Sequence, residues 1–108
     1  MASMDRIFIK IKGKGSHGAY PEESVDPIST AAEVISALQR VVSREIKAVD
    51  PAVLSITRIE GGFNQNIIPD DVELEGTVRT FNNETRQFIA RRINEITKGI
   101  TEAMRADC

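Results

Sequence analysis

Tryptophan is absent from this 108-residue chain, cysteine and histidine occur once each, and aromatic residues make up only 5%. So few flat faces leave no base-stacking platform, and a formal net charge of −2 leaves no basic surface to displace counterions from nucleic acid. Nucleic acid is therefore not an expected partner. Cys108, alone at the last position, cannot close an internal disulfide, and a cytoplasmic setting is the default for such a chain. A zinc site needs three or four converging ligands, and no pair of His or Cys residues sits at ligand spacing, so no metal is expected in this chain itself. The longest apolar runs are three or four residues, far short of a membrane span, and Met1 to Arg6 holds no apolar leader core. No membrane association is expected.

What is present is ordinary globular composition, 41% hydrophobic and 28% charged, in a length that suits a single domain over residues 1–108. From Arg6 to Lys12, Ile7, Ile9 and Ile11 alternate with Phe8, Lys10 and Lys12. That is the period of a strand covered on one face, hence of an antiparallel sheet. Gly13 to Val25 reads as a loop. Asp26-Pro27 then opens a helix, as N-cap and first helical residue, with Ile28, Ala31, Ile35, Leu38 and Val42 as its apolar stripe up to about Arg44.

Ala52 to Ile59 is rich in β-branched residues and reads as a second strand, and Val72 to Thr80 as a third. Between them Gly61 to Asp70 is longer than a tight hairpin needs, and long loops in compact domains are often functional. Asn82 or Asn83 can cap a last helix reaching about Met104, with Ile89, Ile93, Ile96 and Ile100 on its core face. The order β-α-β-β-α predicts an α+β, ferredoxin-like sandwich with both helices on one face of an antiparallel sheet. The third strand should lie between the first and the second. The plan is one strand short, so the first strand keeps an open edge, read as a cut at the domain boundary or a gap that a neighbouring chain fills.

Gly13-Lys14-Gly15-Ser16-His17-Gly18 formally matches the dinucleotide fingerprint G-x-G-x-x-G. The context fails, because that motif needs a helix opening at the glycines, and here the helix starts beyond Pro21. His17 taken alone reads either as a surface loop residue or as a donor aimed at a ligand. Asn66 and Arg79 present the same choice, between a turn or solvated strand residue and a group recognising a carbonyl or carboxylate oxygen. The charges Arg40, Arg44, Arg91, Arg92 and Lys98 read as solvated helix faces with local ion pairs.

A resemblance covers nearly the whole chain. Gly13-Lys14-Gly15-Ser16-His17-Gly18-Ala19-Tyr20-Pro21, Asp26-Pro27-Ile28, Leu38-Gln39, Val42-Ser43-Arg44 and Gly61-Gly62 occur in order with Asn66-Ile67-Ile68-Pro69-Asp70 and Leu74-Glu75-Gly76-Thr77-Val78-Arg79. Together they resemble the zinc-dependent aminoacylase and carboxypeptidase family, in its hippurate hydrolase and indole-acetyl-amino-acid hydrolase branch. The resemblance implies a dimerisation and lid domain, inserted in a larger catalytic domain that holds two divalent metals, zinc or similar. The homodimer it implies joins second strands edge to edge beside the first helix, which places Leu54, Ser55, Ile56 and Thr57 at the interface. It further implies that His17 reaches across the dimer to stabilise the oxyanion formed as water attacks an amide. Asn66 and Arg79 match positions that bind substrate carbonyl or carboxylate groups. The implied reaction of the parent is hydrolysis of N-acyl amino acids or small peptide amides, with this chain alone inactive. The rival reading is a free-standing ferredoxin-like module that binds a small molecule such as an amino acid.

Overall fold

The computed structural model describes residues 2–108. Five strands and two helices follow in the order β1 (Ser3–Lys12), β2 (Ser16–His17), α1 (Pro27–Arg40), β3 (Ala52–Glu60), β4 (Ile67–Ile68), β5 (Asp71–Thr80) and α2 (Asn83–Ala103). A short 3-10 turn, Pro21–Glu23, precedes α1, and a π-helical turn, Val41–Glu45, follows it. The main sheet is antiparallel in the order β1-β5-β3. This is the expected α+β sandwich with the third long strand in the middle.

The alternation read from β1 puts Ile7, Ile9 and Ile11 under the helices and leaves Phe8 and Lys10 on the bare face. β5 contributes Val72, Leu74 and Val78 to the same core, and β3 contributes Leu54. Between Ile56 and Arg58 the β3 register slips by a bulge, leaving Thr57 without a partner. Gly76 lies opposite: a Cβ there would fall 2.1 Å from the Ser55 carbonyl oxygen, so only glycine fits.

α1 opens as expected, with the Asp26 carboxylate accepting from the Ile28 amide at 2.9 Å and Pro27 in the first turn. Its core face, however, is Pro27, Thr30, Ala31, Val34 and Leu38, continued by Val41. Ile28 is 42% exposed, and Ile35 and Val42 are only half-buried. Two apolar rows lie side by side on this helix, and periodicity alone does not say which points straight at the sheet. The row Ile28, Ile35, Val42, repeating every second turn, flanks the buried one, and Ile35 and Val42 pack against the edge of the core.

Asn82 caps α2 through the Thr85 amide at 2.8 Å. Of the four expected core isoleucines only Ile89 is fully buried, and Thr97 and Thr101 fill the central positions. Ile93 helps to line a groove between α2 and β1, while Ile96 and Ile100 line another between the helices. Arg92 makes the expected local pair, with Glu95 at 3.5 Å, and also reaches Glu45, after α1, at 2.6 Å, which ties the two helical segments together.

After α2, Arg105 takes a left-handed conformation (φ 64°) and turns the chain back. Lys12 and Asp107 then exchange both backbone hydrogen bonds, at 2.7 and 2.8 Å. The rest of the outer edge of β1 faces a groove of about 440 Å³ bordered by Ile89, Ala90 and Ile93 of α2. At its mouth Arg86 holds Asp5 by two hydrogen bonds, 2.9 and 2.8 Å. That hydrogen bonding keeps the Asp5 carboxyl below its ordinary range.

The sign of the resulting pH dependence follows. At pH above the ordinary Asp range both folded and unfolded chains are ionised and the pair contributes in full. As pH falls, the unfolded chain takes up the proton first, and the contribution is lost by the lower folded pKa. The pair is solvent-screened, so Asp5→Asn should lower stability by only about 0.5 kcal/mol at neutral pH. The difference from the unsubstituted chain should vanish in acid, as read from urea midpoints across that range.

No helix among the described residues is long and apolar enough to cross a membrane.

Candidate functional site

Both loops between the long strands contain short structure that periodicity missed. Ser16 and His17 pair antiparallel with Ile68 and Ile67, forming a second, two-stranded sheet beyond the end of the main one. Two-residue strands carry no periodic signal, which is why they read as loop. Gly18 donates to the Asn66 carbonyl at 2.7 Å, so the His17 and Asn66 segments run side by side.

Asp70 anchors the arrangement. Its carbonyl accepts from the Gly13 amide at 2.7 Å and its carboxylate from the Gly15 amide at 2.9 Å. Gly15 passes so close to this segment that a Cβ would lie 2.4 Å from the Ile68 carbonyl oxygen. The glycines of the apparent dinucleotide motif thus admit a close approach of two backbones. Gly15→Ala should cost about 1–3 kcal/mol, with loss of the β2–β4 pairing visible as faster amide exchange at His17 and Ile67.

His17 is exposed at the tip of this hook. The Ala19 amide donates to its Nδ1 at 3.1 Å, and the Tyr20 ring sits 5.8 Å away at a 56° tilt. A ring whose Nδ1 accepts a hydrogen bond has Nε2 free to act as a donor toward a ligand. The Asn66 side chain is free as well: the turn is made by Asn64, whose carboxamide oxygen accepts from the Asn66 amide at 2.9 Å. Among the described residues, the Asn66 carboxamide makes no hydrogen bond within the protein. Asp70 and the Ala19 amide were not singled out from the sequence. Asp70 stood only within the Asn66 to Asp70 run, and a backbone donor has no sequence signature.

Arg79 lies elsewhere. It is an exposed residue on the bare face of β5, in register with Met4 and Val53. β5 starts next to the histidine hook at Asp71, and Arg79 follows eight residues later, about 27 Å along an extended strand. One chain therefore brings His17 and Asn66 together and holds Arg79 apart, at the other end of a molecule 49 Å long. Of the expected interface residues, Leu54 is buried and offers only its backbone, while Ser55 and Ile56 are half-buried and Thr57 is exposed. Among the described residues, no three His, Cys, Asp or Glu side chains converge to hold a metal ion.

A family model, the peptidase dimerisation domain, matches residues 4–104. This chain belongs to the peptidase dimerisation domain family. An N-acetylcysteine deacetylase of Bacillus subtilis is 51% identical over 93% of this chain, and an N-acyl-L-amino acid amidohydrolase of Geobacillus stearothermophilus is 46% identical over 95%. The chain spans only 26% and 28% of those two proteins. Among solved structures, an aminohydrolase from methicillin-resistant Staphylococcus aureus superposes with a TM-score of 0.89 at 34% identity, covering 97% of this chain and 28% of that one. YxeP of Bacillus subtilis, a dinuclear metal-binding peptidase of the M20 family, matches at 0.69 and 39% identity, covering 98% of this chain and 24% of its own. The dimerisation-domain assignment agrees with the antiparallel sheet and two helices seen here, and a free-standing binding module is not favoured.

Proposed function

We propose that this chain is the dimerisation and active-site lid domain of a larger metal-dependent amidohydrolase. The catalytic domain would lie in the same polypeptide as residues 1–108 and would carry two divalent metals, zinc or similar. Those metals supply activation of the attacking water, and the substrates are N-acyl amino acids or small peptide amides. The names of the relatives support this substrate class.

The observation that carries the reading is the histidine hook. The one histidine of the chain stands exposed on a braced two-strand projection, with Nδ1 occupied and Nε2 free. With Nδ1 taken by the Ala19 amide, it offers Nε2 outward as a donor, as stabilisation of a developing oxyanion requires. Asn66 adds a second polar group beside it, suited to a substrate carbonyl.

The homodimer pairs β3 with its two-fold copy, through the edge that Leu54, Ser55, Ile56 and Thr57 form, beside α1. The row Ile28, Ile35 and Val42, exposed at Ile28 and half-buried at the other two, would continue that edge as an apolar rim. Because Arg79 and His17 lie at opposite ends of β5, one active site takes His17 and Asn66 from one chain and Arg79 from the other. Arg79 would then bind the substrate carboxylate. The proposed partners are the second copy and the catalytic domain, with no role for nucleic acid or membrane, in a cytoplasmic setting.

The isolated chain, given zinc or manganese and an N-acyl amino acid, should show no turnover above buffer. Metal-dependent hydrolysis by residues 1–108 alone would overturn the division of labour proposed here. Tight calorimetric binding of a free amino acid would instead favour the binding module.

A further inference from the structure

We propose that the backbone amide of Ala19 is a positioning group that fixes His17 as its neutral Nε2–H tautomer and sets the direction in which that proton is offered. The inference rests on the reading of His17 as an oxyanion donor and says how a flexible side chain on a loop becomes one.

A neutral imidazole has one protonated and one bare ring nitrogen, and the partner of one decides the state of the other. The Ala19 amide can only donate, and it lies 3.1 Å from Nδ1. Nδ1 must therefore carry the lone pair, which leaves the proton on Nε2. Flipping the ring by half a turn would set a carbon against that amide and leave it without a partner. The amide itself is held in place from three directions: Tyr20 donates to the His17 carbonyl at 2.9 Å, the Ser16 hydroxyl to the Tyr20 carbonyl at 3.2 Å, and Gly18 to the Asn66 carbonyl at 2.7 Å. The Tyr20 ring lies to one side of the imidazole, centroid to centroid 5.8 Å. A donor fixed before the substrate arrives avoids reorganisation when charge develops, which is where such donors derive their effect.

Because the chain has a single histidine, its imidazole nitrogens give one unambiguous set of signals in a ¹⁵N-labelled sample. The expected spectrum of the full chain in alkaline buffer shows one tautomer, Nε2 protonated and Nδ1 bare, with a through-hydrogen-bond coupling between the Ala19 amide nitrogen and His17 Nδ1. Ala19→Pro, which removes the donor, should abolish that coupling and let the second tautomer appear. Ala19→Gly keeps the amide and should keep the coupling, which separates loss of the donor from a general disturbance of the loop. A protonated Nδ1, or a tautomer mixture without coupling in the unsubstituted chain, overturns the inference. The oxyanion role itself is read by kinetics of a complete enzyme lacking His17, so the two ideas fail by different measurements.

Discussion

Replacing Ile56 with proline is expected to weaken self-association of the chain by about 100-fold, with the fold retained. The choice of residue comes from hydrogen-bond parity. Gly13 donates to Asp70 and fits the register of β1 with β5, so odd residues of β1 bond to even residues of β5. The odd residues of β5 then bond to β3, which makes Ser55 with Thr77 and Val53 with Arg79 the bonded pairs. The backbone groups of Leu54 and Ile56 consequently point away from β5, to the free edge.

Proline at Ser55 would cut the internal ladder and destabilise the subunit. Proline at Ile56 gives up part of the side chain's packing against the core, but on the backbone it removes an outward N–H and obstructs an incoming strand. In a two-fold interface each such loss counts twice, and two losses of roughly 1–1.5 kcal/mol give the expected factor. Ile28→Lys supplies the side-chain counterpart: it charges the exposed end of the rim row at a position that the core does not use. Sedimentation over a range of concentrations reads both. A proline variant that still associates like the unsubstituted chain would remove β3 from the interface.

The architecture was legible in the sequence because its signals are long and periodic. Three isoleucines at every second position define β1, Asp26-Pro27 starts α1, and an Asn opens α2. The rotation of α1 was not legible. Pro27, Ala31, Val34 and Leu38 and the neighbouring row Ile28, Ile35 and Val42 are both apolar, and the sheet alone decides which is covered. Of the stripe read as core, Ala31 and Leu38 are buried, while Ile28, Ile35 and Val42 flank the core and form the rim that the dimer reading uses. The site divides in the same way. His17 stands out as a solitary residue, but its hook depends on backbone-to-backbone approaches at Gly13 and Gly15 and on the Asp70 carboxylate. Such close approaches have no period. The separation of Arg79 from His17 needed only one fact the sequence lacks, that β5 begins at the histidine end and runs away from it.

That separation leads to the sharpest test of the proposed active site. In a complete enzyme carrying this domain, His17→Ala should lower kcat about 10²–10³-fold, the usual cost of one oxyanion donor. Arg79→Ala should act mainly on KM if it binds the substrate carboxylate in ground state and transition state alike. Mixing the two variants then distinguishes the geometries when activity is read at substrate well below the raised KM of Arg79→Ala, where each variant alone is nearly inactive. If each site draws His17 from one chain and Arg79 from the other, the mixed dimer holds one site with both residues replaced and one site fully intact. With random exchange of subunits half the dimers are mixed, and about a quarter of the unsubstituted activity should return. If both residues served the same site from the same chain, every site in the mixture would lack one of them and no activity would return. Recovery also requires that dimers exchange, so Ile56→Pro in both chains should abolish it. The same strand edge that joins the subunits would thereby be shown to assemble the catalytic site, with the length of β5 setting the span between its two contributions.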